Sequence, residues 1–210
     1  MKLNAQNHSL GVLRSLLLLV LIIFGVWILD ERGLVAVVIE GDKSQISKVI
    51  AGLWIVSSIY WLYLSKIISE ERNSFENMEF NNKKLLVSRF FNSLEKNENK
   101  DVLINAFGSE FEKKISYGVI ASDIALKLGL LGTIIGFILM LKPIADLNST
   151  SPENLKIALS SMSSGMAVAL YTTLTGLIIS TLLRIQFHFS ATLIISLLND
   201  LAFYTENNLE

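Results

Sequence analysis

The chain contains no cysteine. That excludes a disulfide framework, a cysteine-ligated metal and a cysteine nucleophile. There are only two histidines, His8 and His188, and they lie far apart in sequence. Neither is expected to ligate a metal. Charged residues make up only 18% of the 210 residues, and the net charge is −1. No basic stripe is present, so nucleic acid is not an expected partner. The predicted spans described below hold no histidine pair and no aspartate pair at membrane depth. Chemistry inside a membrane should leave ionisable groups in the spans. An enzyme is therefore not expected, and no cofactor is implied.

What the chain has in abundance is apolar length. Hydrophobic residues reach 51%, and the mean hydropathy is +0.51. That composition belongs to membrane proteins. A bilayer crossing needs about 20 mainly apolar residues, and four runs qualify. Leu10 to Leu29 is the first. A basic start precedes it, as in a signal peptide, but no small-residue cleavage site follows. Trp27 and then Asp30-Glu31-Arg32 mark an interface instead, so the helix is read as retained. Leu34 to Ile39 is too short to span; it either extends the first helix or lies in the interface. Gly41-Asp42 marks a turn. Ile46 to Ile68 is the second span, with Tyr60, Trp61 and Tyr63 read as an interfacial belt near one end.

Ser69 to Ser116 differs in kind. It is rich in Glu, Lys and Asn, yet Leu86, Phe90 and Leu94 recur every four residues. Leu103, Ala106, Phe107 and Phe111 follow a second amphipathic pattern. Two water-facing helices joined by a solvated link at Lys96–Lys100 are expected. The third span covers about Tyr117 to Leu141. Asp123 and Lys127 stand four apart, acid before base, which predicts an ion pair on one helix face; the functional reading of the same two charges is a charged cytoplasmic mouth to a pore. Lys142-Pro143 is expected to end the helix. Ser151 then reads as an N-cap, with Pro152 at the first helical position and Glu153 in the first turn. The fourth span ends near Leu183. Beyond Arg184, Phe189, Leu193, Leu197 and Leu201 continue the pattern as an amphipathic extension that frays near Asn207-Asn208.

The last two spans are not plain anchors. In the fourth, Ser161, Gly165, Ala169 and Thr173 recur every fourth residue. Ser160, Ser164, Thr172, Gly176 and Ser180 do the same, with Val168 completing the row. Residues four apart share a helix face, so one side is small or hydroxylated. Such a face suits close helix packing and suits a water-lined path equally. The third span supplies Gly132 and Gly136 with Thr133 between them.

These boxes resemble those of the MotA/TolQ/ExbB proton-channel family. LGLLGTIIG at Leu128–Gly136 is similar to the family's GLxGTVxG box, and ALYTTLTGL at Ala169–Leu177 to its ALxATxxGL box. The resemblance covers about a third of the chain, in the same order and hairpin spacing. It implies that Thr133 and Thr173 line a proton path. Gly129, Gly132, Gly136, Gly165 and Gly176 are expected to serve close helix packing. Two positions depart from the family pattern. Leu126 stands where several members have proline, and Val168 where transporter-energising members often have glutamate. The resemblance further implies a ring, most simply a homopentamer, around a dimeric single-span partner like MotB, TolR or ExbD that carries a membrane aspartate. Within this chain Asp123 falls near an interface and Asp146 in a loop; no other Asp or Glu lies inside a predicted span.

The expected fold is an all-α membrane protein: four transmembrane helices, a small cytoplasmic helical segment, and a C-terminal helix extending into the cytoplasm. The expected organisation is a transmembrane hairpin over 1–68, a cytoplasmic segment over 69–116, a pore hairpin over 117–184 and a helical tail over 185–210. Lys and Arg concentrate in the N-terminus, the middle segment and the tail, which predicts that all three are cytoplasmic. The expected location is the bacterial inner membrane, with the lipid bilayer as the surrounding partner. Two functions stay open: a proton-channel subunit of a motor or energising complex, and a structural scaffold whose small residues serve packing alone.

Overall fold

The computed structural model describes residues 8–76, 85–94, 100–145 and 151–208. The polar start at 1–7, the expected link at 96–99 and the loop at 146–150, which includes Asp146, lie outside the described residues. All regular structure described is helical: α1 (His8–Glu31), α2 (Leu34–Gly41), α3 (Ile46–Glu76), α4 (Leu86–Leu94), α5 (Lys100–Ala145) and α6 (Pro152–Asn208). Four of these, α1, α3, α5 and α6, are long and apolar enough to cross a membrane.

The α1–α2 boundary is set by Gly33. Its φ of 70° is left-handed, a conformation that costs a side chain but not glycine. The apolar run after it is therefore a separate short helix rather than an extension of α1. The next turn is organised by Asp42. Its carboxylate accepts hydrogen bonds from the Ser44 N–H at 2.9 Å, the Ser44 hydroxyl at 2.5 Å and the Ser47 N–H at 2.6 Å. Ser44 precedes α3 and the Ser47 N–H lies in its first turn, where backbone N–H groups lack helical partners.

Two helices run further than the sequence pattern suggests. Helix α5 is continuous for 46 residues, with no break where the polar segment meets the apolar span near Ser116. Hydrophobic patterning changes there, but no proline interrupts the backbone ladder. Pro143 also sits inside α5, which ends at Ala145. Its ring disturbs the carbonyl one turn back, and its fixed φ is itself helical. Helix α6 spans 57 residues, and Ser151 caps it by accepting from Asn154 N–H at 3.4 Å.

The chain forms two compact units. The first combines Ser58–Val119, Ile185–Glu210 and the described part of Met1–Leu21. Its core holds Trp61, Leu64, Val87, Phe90, Phe107, Phe111, Phe187 and Leu197, all buried. Trp61 is thus a core residue of this unit and not part of an interfacial belt; its 0% exposure decides that. Glu71 is buried too, and its two carboxylate oxygens accept from Leu86 N–H at 2.8 Å and Val87 N–H at 2.9 Å. It caps the N-terminus of α4 from another helix. The second unit combines Ile22–Ser57 and Ile120–Arg184.

Candidate functional site

The second unit contains the hairpin made by the C-terminal part of α5 and the N-terminal part of α6. Its register is fixed by glycine. A Cβ placed on Gly129 would lie 3.1 Å from Gly176 Cα, and one on Gly136 would lie 2.5 Å from the Ala169 nitrogen. One on Gly132 would strike the Thr172 side chain, and one on Gly165 the backbone of Met140. Each step towards the end of α5 meets a step towards the start of α6, so the helices run antiparallel with backbones touching. The residue types supplied by the sequence allow this: only glycine leaves room for such approach. Gly41 meets α6 similarly, against the ring of Tyr171.

Hydroxyls are set into this seam. Thr172 is fully buried and fills the space beside Gly132, donating to Val168 O at 2.8 Å. Thr173 is half-buried and donates to Ala169 O at 2.9 Å, with Gly129 O across the hairpin at 3.4 Å. Thr133 donates to Leu130 O at 2.6 Å. It lines an open depression of about 420 Å³ together with Ile134, Phe137, Met140, Met166 and Ala169. The hairpin thus brings Thr173 against α5, while Thr133 opens onto the depression.

The bonding pattern has a chemical consequence. A hydroxyl carries one donor and two acceptor sites. Here each donor is satisfied by a helix carbonyl, so the threonines are tolerated in an apolar layer. The oxygens of Thr133 and Thr173, which are only partly buried, keep the capacity to accept from water or from another chain. They do not titrate near neutral pH, so they can relay or orient but cannot store a proton. Val168, which completes the row of small residues on α6, is fully buried.

Asp123 pairs differently from the sequence expectation. Arg184 Nη2 donates to Asp123 Oδ1 at 2.7 Å, linking α6 to α5. Lys127, the expected partner, is exposed and makes no ion pair among the described residues. The guanidinium reaches across the hairpin and forms a charge-assisted bond that the nearer ammonium does not. The partnership spans 61 residues, and helical spacing carries no signal for it. Thr172 was legible only as one member of the small face; its fit against Gly132 had no separate signature. Among the described residues no group of His, Cys, Asp or Glu is arranged to hold a metal ion.

Four helices long and apolar enough to cross a membrane describe a multi-pass membrane protein. The chain belongs to the MotA/TolQ/ExbB proton channel family, which matches residues 74–200, more than half of its length. No curated protein matches the chain. No solved structure matches it either.

Proposed function

We propose that the chain is the ring-forming subunit of a complex driven by the proton motive force, either a motor or an energiser of another envelope process. The observation that carries this reading is the hairpin, with threonines set among glycines on both helices and, among the described residues, no carboxylate at mid-span. The ring, most simply a homopentamer in the bacterial inner membrane, surrounds the membrane helices of a dimeric MotB-, TolR- or ExbD-like partner. The partner's membrane aspartate takes up a proton from outside and releases it inside. Thr133 and Thr173 line its path, accepting hydrogen bonds from water or from the protonated carboxyl. Gly129, Gly132, Gly136, Gly165 and Gly176 hold the two helices close enough to keep that path narrow. Both termini and the 69–116 segment face the cytoplasm, following the Lys and Arg distribution.

Each proton crossing 100 mV releases about 2.3 kcal/mol, enough to bias one step of a ring around its axle. Because the titrating group belongs to the partner, the chain does no chemistry of its own and acts as a channel wall, not an enzyme. The test is proton uptake into vesicles with and without the partner, with native mass spectrometry of the same sample. The reading requires about five copies per complex and uptake only when the partner is present. Monomers or dimers alone, or equal uptake without the partner, would remove it.

A second reading, a structural scaffold, draws on one observation: every seam threonine already donates to a helix carbonyl, as packing alone requires. It predicts no uptake in either sample.

A further inference from the structure

The hairpin opens beyond its last glycine contact. At Gly165 the α6 backbone still touches Met140. One turn further, a cleft of about 570 Å³ separates the end of α5 from the start of α6. Lys142 enters it from the last turn of α5, and Lys43 from the turn between α2 and α3. Asn154, Ser161 and Ser164 supply amide and hydroxyl donors from α6. Leu139 and Ile157, both exposed, form an apolar wall.

The two ammonium groups have no anionic partner among the described residues. Asp42, the neighbour of Lys43, has both oxygens occupied by Ser44 and Ser47. Two cations from separate elements therefore converge on one cleft at the end of the hairpin, beside an apolar wall. We propose that this cleft binds the phosphate of an anionic phospholipid. The lysines pair with the phosphate, the α6 side chains donate to its ester and glycerol oxygens, and an acyl chain lies along Ile157. A phosphate offers several acceptor oxygens to several donors at once, and the wall beside it suits hydrocarbon. A soluble phosphate shares the anionic chemistry but leaves the apolar wall unused.

The site is separate from the threonine seam, so its test does not depend on proton conduction. The assembled full-length complex is purified and exchanged into nanodiscs of phosphatidylglycerol mixed with phosphatidylcholine. The ratio of the two lipids retained on release into the gas phase is the readout. Each lysine near a membrane surface strengthens binding of anionic lipid by about fivefold. The wild type should retain phosphatidylglycerol preferentially. Lys43→Gln with Lys142→Gln should lose about 25-fold of that preference. Lys156→Gln, a charge change outside the cleft, should keep it. Inorganic phosphate in a neutral detergent is the second probe. Stabilisation of the wild type alone by phosphate, without a lipid preference, would replace the lipid by a soluble anion. Equal lipid ratios in the wild type and the double variant, with no phosphate effect, would eliminate the site.

Discussion

Arg184 and Asp123 meet at 2.7 Å across the α5–α6 hairpin, and both side chains are partly exposed. The pair stitches the hairpin together at the end opposite the lysine cleft. Partly exposed pairs are worth about 1 kcal/mol or less. Neutralising either member, Asp123→Asn or Arg184→Gln, should lower stability in detergent by about that amount. The double variant should cost less than the sum. Lys127→Gln should leave stability unchanged. A thermal-unfolding cycle over these variants reads the coupling. Additive losses, or a loss for Lys127→Gln equal to that of Arg184→Gln, would point back to the pairing along one helix.

Backbone contact at Gly136 predicts intolerance of a single methyl group. The obstructing atoms at Ala169 include backbone, which cannot rotate away. Gly136→Ala should destabilise the chain by about 1–3 kcal/mol, the usual range for overpacking. Gly52 has nothing within 4 Å of the same added atom. Gly52→Ala should be neutral or stabilise α3 by about 0.5–1 kcal/mol. Unfolding midpoints of the two variants check the contrast. Equal effects would mean that the seam is looser than described.

Glu71 holds the start of α4 through two backbone N–H groups. Glu71→Ala leaves both without that acceptor in a buried setting, at a cost of about 1–3 kcal/mol. Glu71→Gln keeps one acceptor oxygen and should lose less. Hydrogen exchange at Leu86 and Val87 is the direct readout: protection should fall in the order wild type, Gln, Ala. Unchanged protection in the Ala variant would show that α4 is held by packing alone.

Asp42 predicts a pH dependence. Burial pushes its carboxyl pKa up, but hydrogen bonds from Ser44 and Ser47 outweigh that and hold it below the ordinary 3.8. A group depressed in the folded state stabilises it fully above its unfolded value. That contribution is lost as pH falls below about 3.8 towards the folded value. Asp42→Asn should therefore lower stability at neutral pH and flatten the loss below pH 3.8. Chemical-unfolding midpoints across pH 2–7 test this. Parallel curves for the variant and the wild type would exclude the role.

The spans and the hairpin were legible because their signals are local. Apolar runs of about 20 residues report crossings, and the four-residue recurrence from Ser160 to Ser180 reports one small face. The Ser151-Pro152 start of α6 was equally local. What escaped depends on distant contacts or on the absence of a break. Nothing around Tyr117 says whether two helices abut or one continues. Pro143 reads as a stop, although its disturbance falls on the preceding turn. Trp61 has an amphipathic ring that suits an interface or a core equally, and only the neighbours supplied by other helices decide. Glu71 and Arg184 look like ordinary surface charges until their partners, on other elements, are in place.

The central claim is that the seam hydroxyls conduct, and Thr173 tests it most directly. It contacts both helices, through Ala169 O at 2.9 Å and Gly129 O at 3.4 Å. Thr173→Val nearly preserves the shape while removing the hydroxyl, although the swap is not fully neutral in a packed site. Thr173→Ser keeps the hydroxyl and loses a methyl. The measurement is partner-dependent proton uptake into vesicles, with assembly checked in the same sample. The account predicts an assembled but non-conducting valine complex and a serine complex that keeps much of its flux. Wild-type flux through an assembled Thr173→Val complex would contradict it.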